Sequence, residues 1–156
     1  MSGRDNAAEA VAQILDRAAE RGRIDRAPYA GLVTPAEAWR LHEAGAAAIV
    51  DVRTRPEWEL VGRVPESALV EWRRYGESSP DPQFVETLAT RFRRSDTLLF
   101  LCRSAVRSHY AAAAAAAAGF AHAFNVLEGF EGDFDHRRQR GHLGGWRAAG
   151  LPWIQD

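Results

Sequence analysis

The sequence predicts an α/β domain with a central, largely parallel sheet and helices on both faces, preceded by an N-terminal helical extension. Three observations carry that expectation. Short apolar runs alternate along the chain with segments of helical periodicity. The runs Ala47-Ala48-Ile49-Val50 and Thr97-Leu98-Leu99-Phe100-Leu101 are apolar throughout, as strands buried on both faces are. At 156 residues the chain is about one domain long, enough to bury roughly 70% of its unfolded surface.

Taken in order, residues 5–22 place Val11, Ile14, Leu15 and Ala18 at helical spacing, with Gly22 as a stop and residues 21–28 as a linker. The narrow apolar stripe of this helix favours packing against something. Residues 1–28 are therefore read as an extension and 29–156 as the domain, which carries an insertion near 130–145. Leu32-Val33 is a short strand, after which Thr34 at the N-cap, Pro35 at the first helical position and Glu37 at N3 complete a capping box. That helix runs Pro35–Ala44 and stops at Gly45. Ala47–Val52 is the next strand and leaves Asp51 and Arg53 at its carboxyl end, before the polar stretch to Glu57. Residues 64–72 hold a further short strand. Pro82–Phe92 is a helix with Phe84, Val85, Leu88 and Phe92 as its apolar stripe, capped by Asp81 or Ser79.

The strongest strand, Thr97–Leu101, delivers Cys102 at its end. Ala105–Ala118 is helical on propensity, and Gly119-Phe120 ends it. Phe124–Leu127 is the last strand, followed by a charged, Gly-rich stretch and a terminal segment from Trp146 to Trp153. Tyr29, Trp39 and Trp72 read as core or rim aromatics.

Composition excludes several classes. With 46% hydrophobic and 26% charged residues the chain is an ordinary globular one. One cysteine excludes a disulfide framework and any metal centre built on several thiolates. A net charge of −1 gives no footprint for nucleic acid or a membrane surface. No run approaches the ~20 apolar residues of a membrane span, and the first residues lack the apolar stretch of a signal peptide, so a cytoplasmic protein is expected. Lys is absent, so any fixed positive charge in a site is a guanidinium or an imidazolium. Asp133, Asp135, His136 and His142 lack a regular ligand spacing, and neither a metal nor a cofactor is expected.

In open α/β sheets ligands bind at the carboxyl ends of the strands, where both Cys102 and the 51–57 segment fall. Cys102-Arg103-Ser104-Ala105-Val106-Arg107-Ser108 joins the strongest strand to the Ala-rich helix. A thiol there meets unpaired N–H groups, the positive end of the helix dipole and two arginines, all of which favour the thiolate. A lone cysteine is commonly just a small buried apolar residue, but this position suits an oxyanion- or sulfur-binding nucleophile.

The loop resembles the Cys-Arg-x-x-x-Arg-Ser signature of single-domain rhodaneses, which are sulfurtransferases. Other motifs agree in order: Asp51-Val52-Arg53 with Glu57-Trp58, Gly62-Arg63-Val64-Pro65-Glu66-Ser67-Ala68, Leu127-Glu128-Gly129 and Trp146-Arg147-Ala148-Ala149-Gly150-Leu151-Pro152. The likeness spans Gly31 to Trp153, with Arg63, Glu66 and Ser67 as departures. It implies a rhodanese-like fold and a Cys102 persulfide that passes sulfur from a small anionic donor such as thiosulfate to a thiophilic acceptor, a partner protein's thiol included. The N–H groups from Arg103 through Ser104, Ala105, Val106 and Arg107 to Ser108 would cradle the terminal sulfur. Arg103 and Arg107 would orient the donor, and Ser104 and Ser108 would donate hydrogen bonds. Arg107 has a second reading, binding Asp51 or Glu57 to hold the loop, and Asp51, Arg53 and Glu57 are read as support. A sulfur-carrier or redox-sensing module acting on a protein partner is the alternative function. Cysteine phosphatases and arsenate reductases are remote, because they place five residues between Cys and Arg where this chain has four. The insertion Phe130–Gly145 follows a strand's carboxyl end and reads first as a solvated surface loop, with a lid or partner surface over Cys102 as the other reading, in which Arg137, Arg138 and Arg140 are available to steer anions.

Overall fold

In the computed structural model, which describes residues 3–156, five parallel strands form one sheet in the order β1-β5-β4-β2-β3. The strands are β1 (Gly31–Val33), β2 (Ala48–Asp51), β3 (Ala68–Leu69), β4 (Leu98–Leu101) and β5 (Ala123–Val126). The helices are α1 (Gly3–Asp25), α2 (Pro35–Glu43), α3 (Phe84–Arg91) and α4 (Val106–Ala117). Residues 1 and 2 of the expected extension lie outside the described residues. Among the described residues no helix is long and apolar enough to cross a membrane.

Side-chain alternation along the central strands sorts the core into two layers. Leu98 and Phe100 of β4 join Phe84 and Leu88 of α3 and Ala111, Ala112 and Ala115 of α4. Leu99 and Leu101 join Ile14 and Ala18 of α1, Ala38 and Leu41 of α2, and Phe130 and Trp146. All four β4 residues are buried, which matches their apolar run. The Ala run of α4 lets that helix lie close on β4 and β5, where Ala111, Ala112 and Ala115 are fully buried.

The capping box at α2 forms as expected: Glu37 N donates to Thr34 Oγ1 at 3.1 Å, and Thr34 N donates to Glu37 Oε1 at 2.9 Å. Glu37 also anchors α1, accepting from Arg21 at 2.7 and 3.1 Å and from Arg17 at 3.3 Å. Burial pulls the Glu37 carboxyl upward, but the Arg21, Thr34 and Arg17 hydrogen bonds outweigh it and hold the carboxyl at about 2.

Gly22 does not stop α1, which continues to Asp25 through most of the expected linker. A Cβ on Gly22 would sit 2.9 Å from the Gly31 Cα, so this glycine permits the helix to press against β1. α3 starts at Phe84 rather than Pro82, and no side chain caps it. Asp81 instead closes the preceding turn, accepting from Gln83 N at 2.9 Å and, through its carbonyl, from Phe84 N at 3.1 Å. One element was not anticipated. Glu57–Val61 forms a single π-helical turn, with Gly62 N bonded to Glu57 O at 3.2 Å. Such wide turns reposition side chains, and this one presents Glu57.

Candidate active site

The alternation that puts Phe100 on the α4 side of the sheet carries Cys102 to the same side. Ser108 on the first turn of α4 and Asn125 on β5 meet it there. Cys102 Sγ lies 3.2 Å from Ser108 Oγ, and Ser108 Oγ lies 2.6 Å from Asn125 Oδ1. Asn125 Nδ2 donates to the Ala105 carbonyl at 3.2 Å and to Tyr29 Oη at 3.4 Å, and Tyr29 Oη lies 2.7 Å from His109 Nδ1.

A carbonyl only accepts, so the amide of Asn125 must turn Nδ2 to Ala105 and Oδ1 to Ser108. Ser108 then gives its proton to Asn125 and presents a lone pair to Sγ. That lone pair suits an S–H, and a thiolate is served only when the Ser108 hydroxyl swings from Asn125 to sulfur. Burial pushes the Tyr29 phenol up from its ordinary value, against the opposing Asn125 hydrogen bond.

The backbone of the loop faces two ways. Its first carbonyls are taken: Cys102 O accepts from Phe130 N at 2.8 Å, and Arg103 O accepts from Glu131 N and Gly132 N at 3.0 and 3.1 Å. Gly129 allows this contact, since a Cβ there would land on the Arg103 carbonyl and its φ is +72°. Among the described residues none of the N–H groups from Arg103 to Ser108 donates a hydrogen bond, so all are free for an anion at the positive end of α4. Ala105 precedes α4 with φ +74°, a left-handed conformation that strains an alanine.

Arg107 grips Glu57 in a two-pronged pair at 2.7 and 2.9 Å, which is the loop-holding reading of that arginine. Glu57 Oε1 also accepts from Thr54 N and Oγ1 at 3.1 and 2.9 Å. Burial pulls Glu57 upward, but Arg107 and Thr54 hold its carboxyl at about 2. Burial lowers Arg107, and the Glu57 carboxylate more than restores it, so the guanidinium is raised overall.

Asp51 and Arg53 are elsewhere. Both are fully buried, and Arg53 packs on Phe130, which belongs to the core layer opposite that of Cys102. Arg53 binds both Asp51 oxygens at 2.7 to 3.1 Å and the Gly62 carbonyl at 2.7 Å, and its guanidinium lies 4.4 Å from the centroid of the Phe130 ring. They tie the end of β2 to the start of the 130–145 segment, and among the described residues neither side chain hydrogen-bonds to the Cys102 loop.

Cys102 itself is fully buried. Over its loop lies a cleft of about 470 Å³ whose walls include Arg103 and Arg107 from the loop, Thr54 and Glu57, Arg73 and Arg74, and Arg140. Ser104 is half-buried and Val106 exposed. A second cleft, of about 340 Å³, opens on the other flank between Tyr29, Ala105, Val106, His109 and Asn125. Tyr29, His109 and Asn125 were missed as site residues. Asn125 read only as part of a strand and Tyr29 only as an aromatic, and nothing local marks either.

Residues 34–134 match the family model described as "Rhodanese-like domain". The crystal structure of Rv0390 from M. tuberculosis is 42% identical, covers 82% of this chain and 99% of its own, and superposes with a TM-score of 0.74. A Rickettsia rickettsii relative, "Uncharacterized protein RP600 homolog", is 30% identical over 111 residues, 67% of this chain and 80% of the relative. The polysulfide-sulfur transferase homodimer of Wolinella succinogenes, 19% identical with a TM-score of 0.54 over 80% of this chain and 78% of its own, shares the fold.

Proposed function

The chain belongs to the rhodanese-like domain family, and on that premise we propose that it is a sulfurtransferase that carries sulfane sulfur as a persulfide on Cys102. The observation that carries this reading is the ring of undonated N–H groups from Arg103 to Ser108 beside the only thiol, at the positive end of α4. A persulfide's terminal sulfur is an anion, and this ring suits one.

With thiosulfate, the Cys102 thiolate attacks the outer sulfur, the S–S bond of the donor breaks, and sulfite leaves with the bonding pair. The loop N–H groups hold the new terminal sulfur. Ser108 turns its hydroxyl from Asn125 to the Cys102 sulfur while that atom is anionic. A thiophilic acceptor then takes the terminal sulfur and returns the thiolate, a ping-pong sequence. Arg107 acts through Glu57, fixing the loop's shape, and Arg103 is free to meet the incoming anion. Asp51, Arg53 and Glu57 are positioning residues in this reading.

The burial of Cys102 favours a second use of the same chemistry, a carrier whose loop a protein partner opens. One experiment separates the readings. Incubation with thiosulfate is expected to add the mass of one sulfur atom to the wild type and nothing to Cys102→Ser, with thiocyanate formed from cyanide. Sulfur uptake without turnover points to the carrier. No uptake from thiosulfate, polysulfide or an organic persulfide overturns both.

A further inference from the structure

The cleft above the loop is larger and more cationic than an inorganic donor needs. Its volume of about 470 Å³ falls in the ~300–1,000 Å³ range of sites for organic ligands, and a compact anion such as thiosulfate fills a small part of it. Of its carboxylates, Glu57 is committed to Arg107, and Glu131 faces Arg147 at 3.8 Å. Glu77 is left, against Arg73, Arg74, Arg103 and Arg140.

Among the described residues the side chains of Arg73, Arg74 and Arg103 make no hydrogen bond or ion pair, and Arg73 is nonetheless half-buried. Arg140 is held in place: its Nη1 donates to the Gly132 carbonyl at 2.7 Å, and its guanidinium lies 5.2 Å from the centroid of the Phe134 ring. The remaining donors of Arg140 stay available. Of the three insertion arginines, only Arg140 lies on this wall. Guanidinium donors available to a ligand thus come from three separate segments, the Cys102 loop, the chain after β3 and the insertion. A single anionic group engages one such cluster, whereas charges spread over several walls match a ligand with carboxylates at a distance from its sulfur. Val61 and Tyr75 supply apolar wall between them.

We propose that the sulfur donor is an organic hydropersulfide bearing two or more carboxylates, and that Arg140, with Arg73 and Arg74, selects it by those carboxylates. This rests on the sulfurtransferase reading of Cys102. The Cys102 thiolate attacks the terminal sulfur of R–S–SH and forms the new S–S bond. The old S–S bond breaks, and the leaving R–S⁻ takes the proton that the terminal sulfur carried. The products are the Cys102 persulfide anion and R–SH, and no oxidant or reductant is consumed. Because Cys102 is buried beneath the loop, the carboxylates would dock the donor in the cleft while the loop yields around the sulfur.

The test loads Cys102 with glutathione hydropersulfide, which carries two carboxylates, with cysteamine hydropersulfide, which carries none, and with thiosulfate, following the adduct by intact mass. The wild type is expected to load from the first at least tenfold faster than from the second. Arg140→Gln is expected to cut that ratio about tenfold, Arg73→Gln/Arg74→Gln to do the same, and Arg140→Lys to restore part of it. Loading from every donor with a ratio near one in the wild type, or a ratio unmoved by the substitutions, overturns the proposal and leaves the sulfurtransferase reading standing. Loading from no donor removes both.

Discussion

The two flanks of the Cys102 loop are made of opposite materials. On one side Arg107 and Glu57 meet as full charges beside a cationic cleft. On the other, Ser108, Asn125 and Tyr29 meet as neutral donors and acceptors that fix one another's direction. The charged flank holds the loop through attraction that depends on protonation. The neutral flank holds it through geometry, since the Ala105 carbonyl fixes the Asn125 amide and the amide fixes the Ser108 hydroxyl. A loop clamped by both is held in shape from two sides, by charge on one and by neutral hydrogen bonds on the other.

Removing the charged clamp should have the largest effect. Glu57→Gln leaves Arg107 half-buried without its carboxylate, and a depression from the ordinary 4.5 to about 2 corresponds to about 3 kcal/mol. Because the folded carboxyl is the depressed one, this stabilisation is complete above about pH 4.5 and disappears as pH falls toward about 2. Urea unfolding should show a gap of about 3 kcal/mol between wild type and variant near pH 7, closing to about 1 kcal/mol near pH 3. A gap that ignores pH would mean that the pair acts by packing alone.

Asn125→Leu tests the neutral clamp. It keeps the bulk but strands Ser108 Oγ and the Ala105 carbonyl, at a cost of ~1–3 kcal/mol. Urea midpoints in low and high salt should show the same loss. A loss that shrinks with salt would place charge on this flank too.

Ala105→Gly is the smallest change and lies between the two flanks. Relieving the left-handed alanine recovers roughly 1–2 kcal/mol, and the greater freedom of an unfolded glycine returns about half of that. A net gain of up to ~1 kcal/mol in the urea midpoint is expected. A net loss would show that the alanine methyl packs usefully.

What was legible in the sequence was local. The capping box at Thr34 spans four residues and formed as read. The uniformly apolar β4 and its delivery of Cys102 were equally plain, because strand period and burial are written residue by residue. Glu57 was named as support from a motif, and the two-pronged contact with Arg107 bears on that role without testing it. The neutral flank was invisible because it joins residues 17, 80 and 96 positions apart, and an Asn on a strand gives no sign of which neighbour it will orient. Gly22 was misread for a physical reason. Glycine is used both to end a helix and to let one approach a strand, and the difference lies in Gly31, which is distant until the chain folds. The π turn at Glu57 is set by where β2 must hand over to β3, which no propensity encodes.

The hydrogen bonds from Phe130, Glu131 and Gly132 to the Cys102 and Arg103 carbonyls give the loop a mechanical character. They make its first two residues a hinge post, since displacing them breaks all three bonds together at about 1 kcal/mol each. Ser104 to Val106 carry no such ties on their N–H groups, and Ala105 stores strain. The loop is thus held unequally along its length, by three bonds to two carbonyls at the cysteine and by the single bond from Asn125 to the Ala105 carbonyl at the alanine.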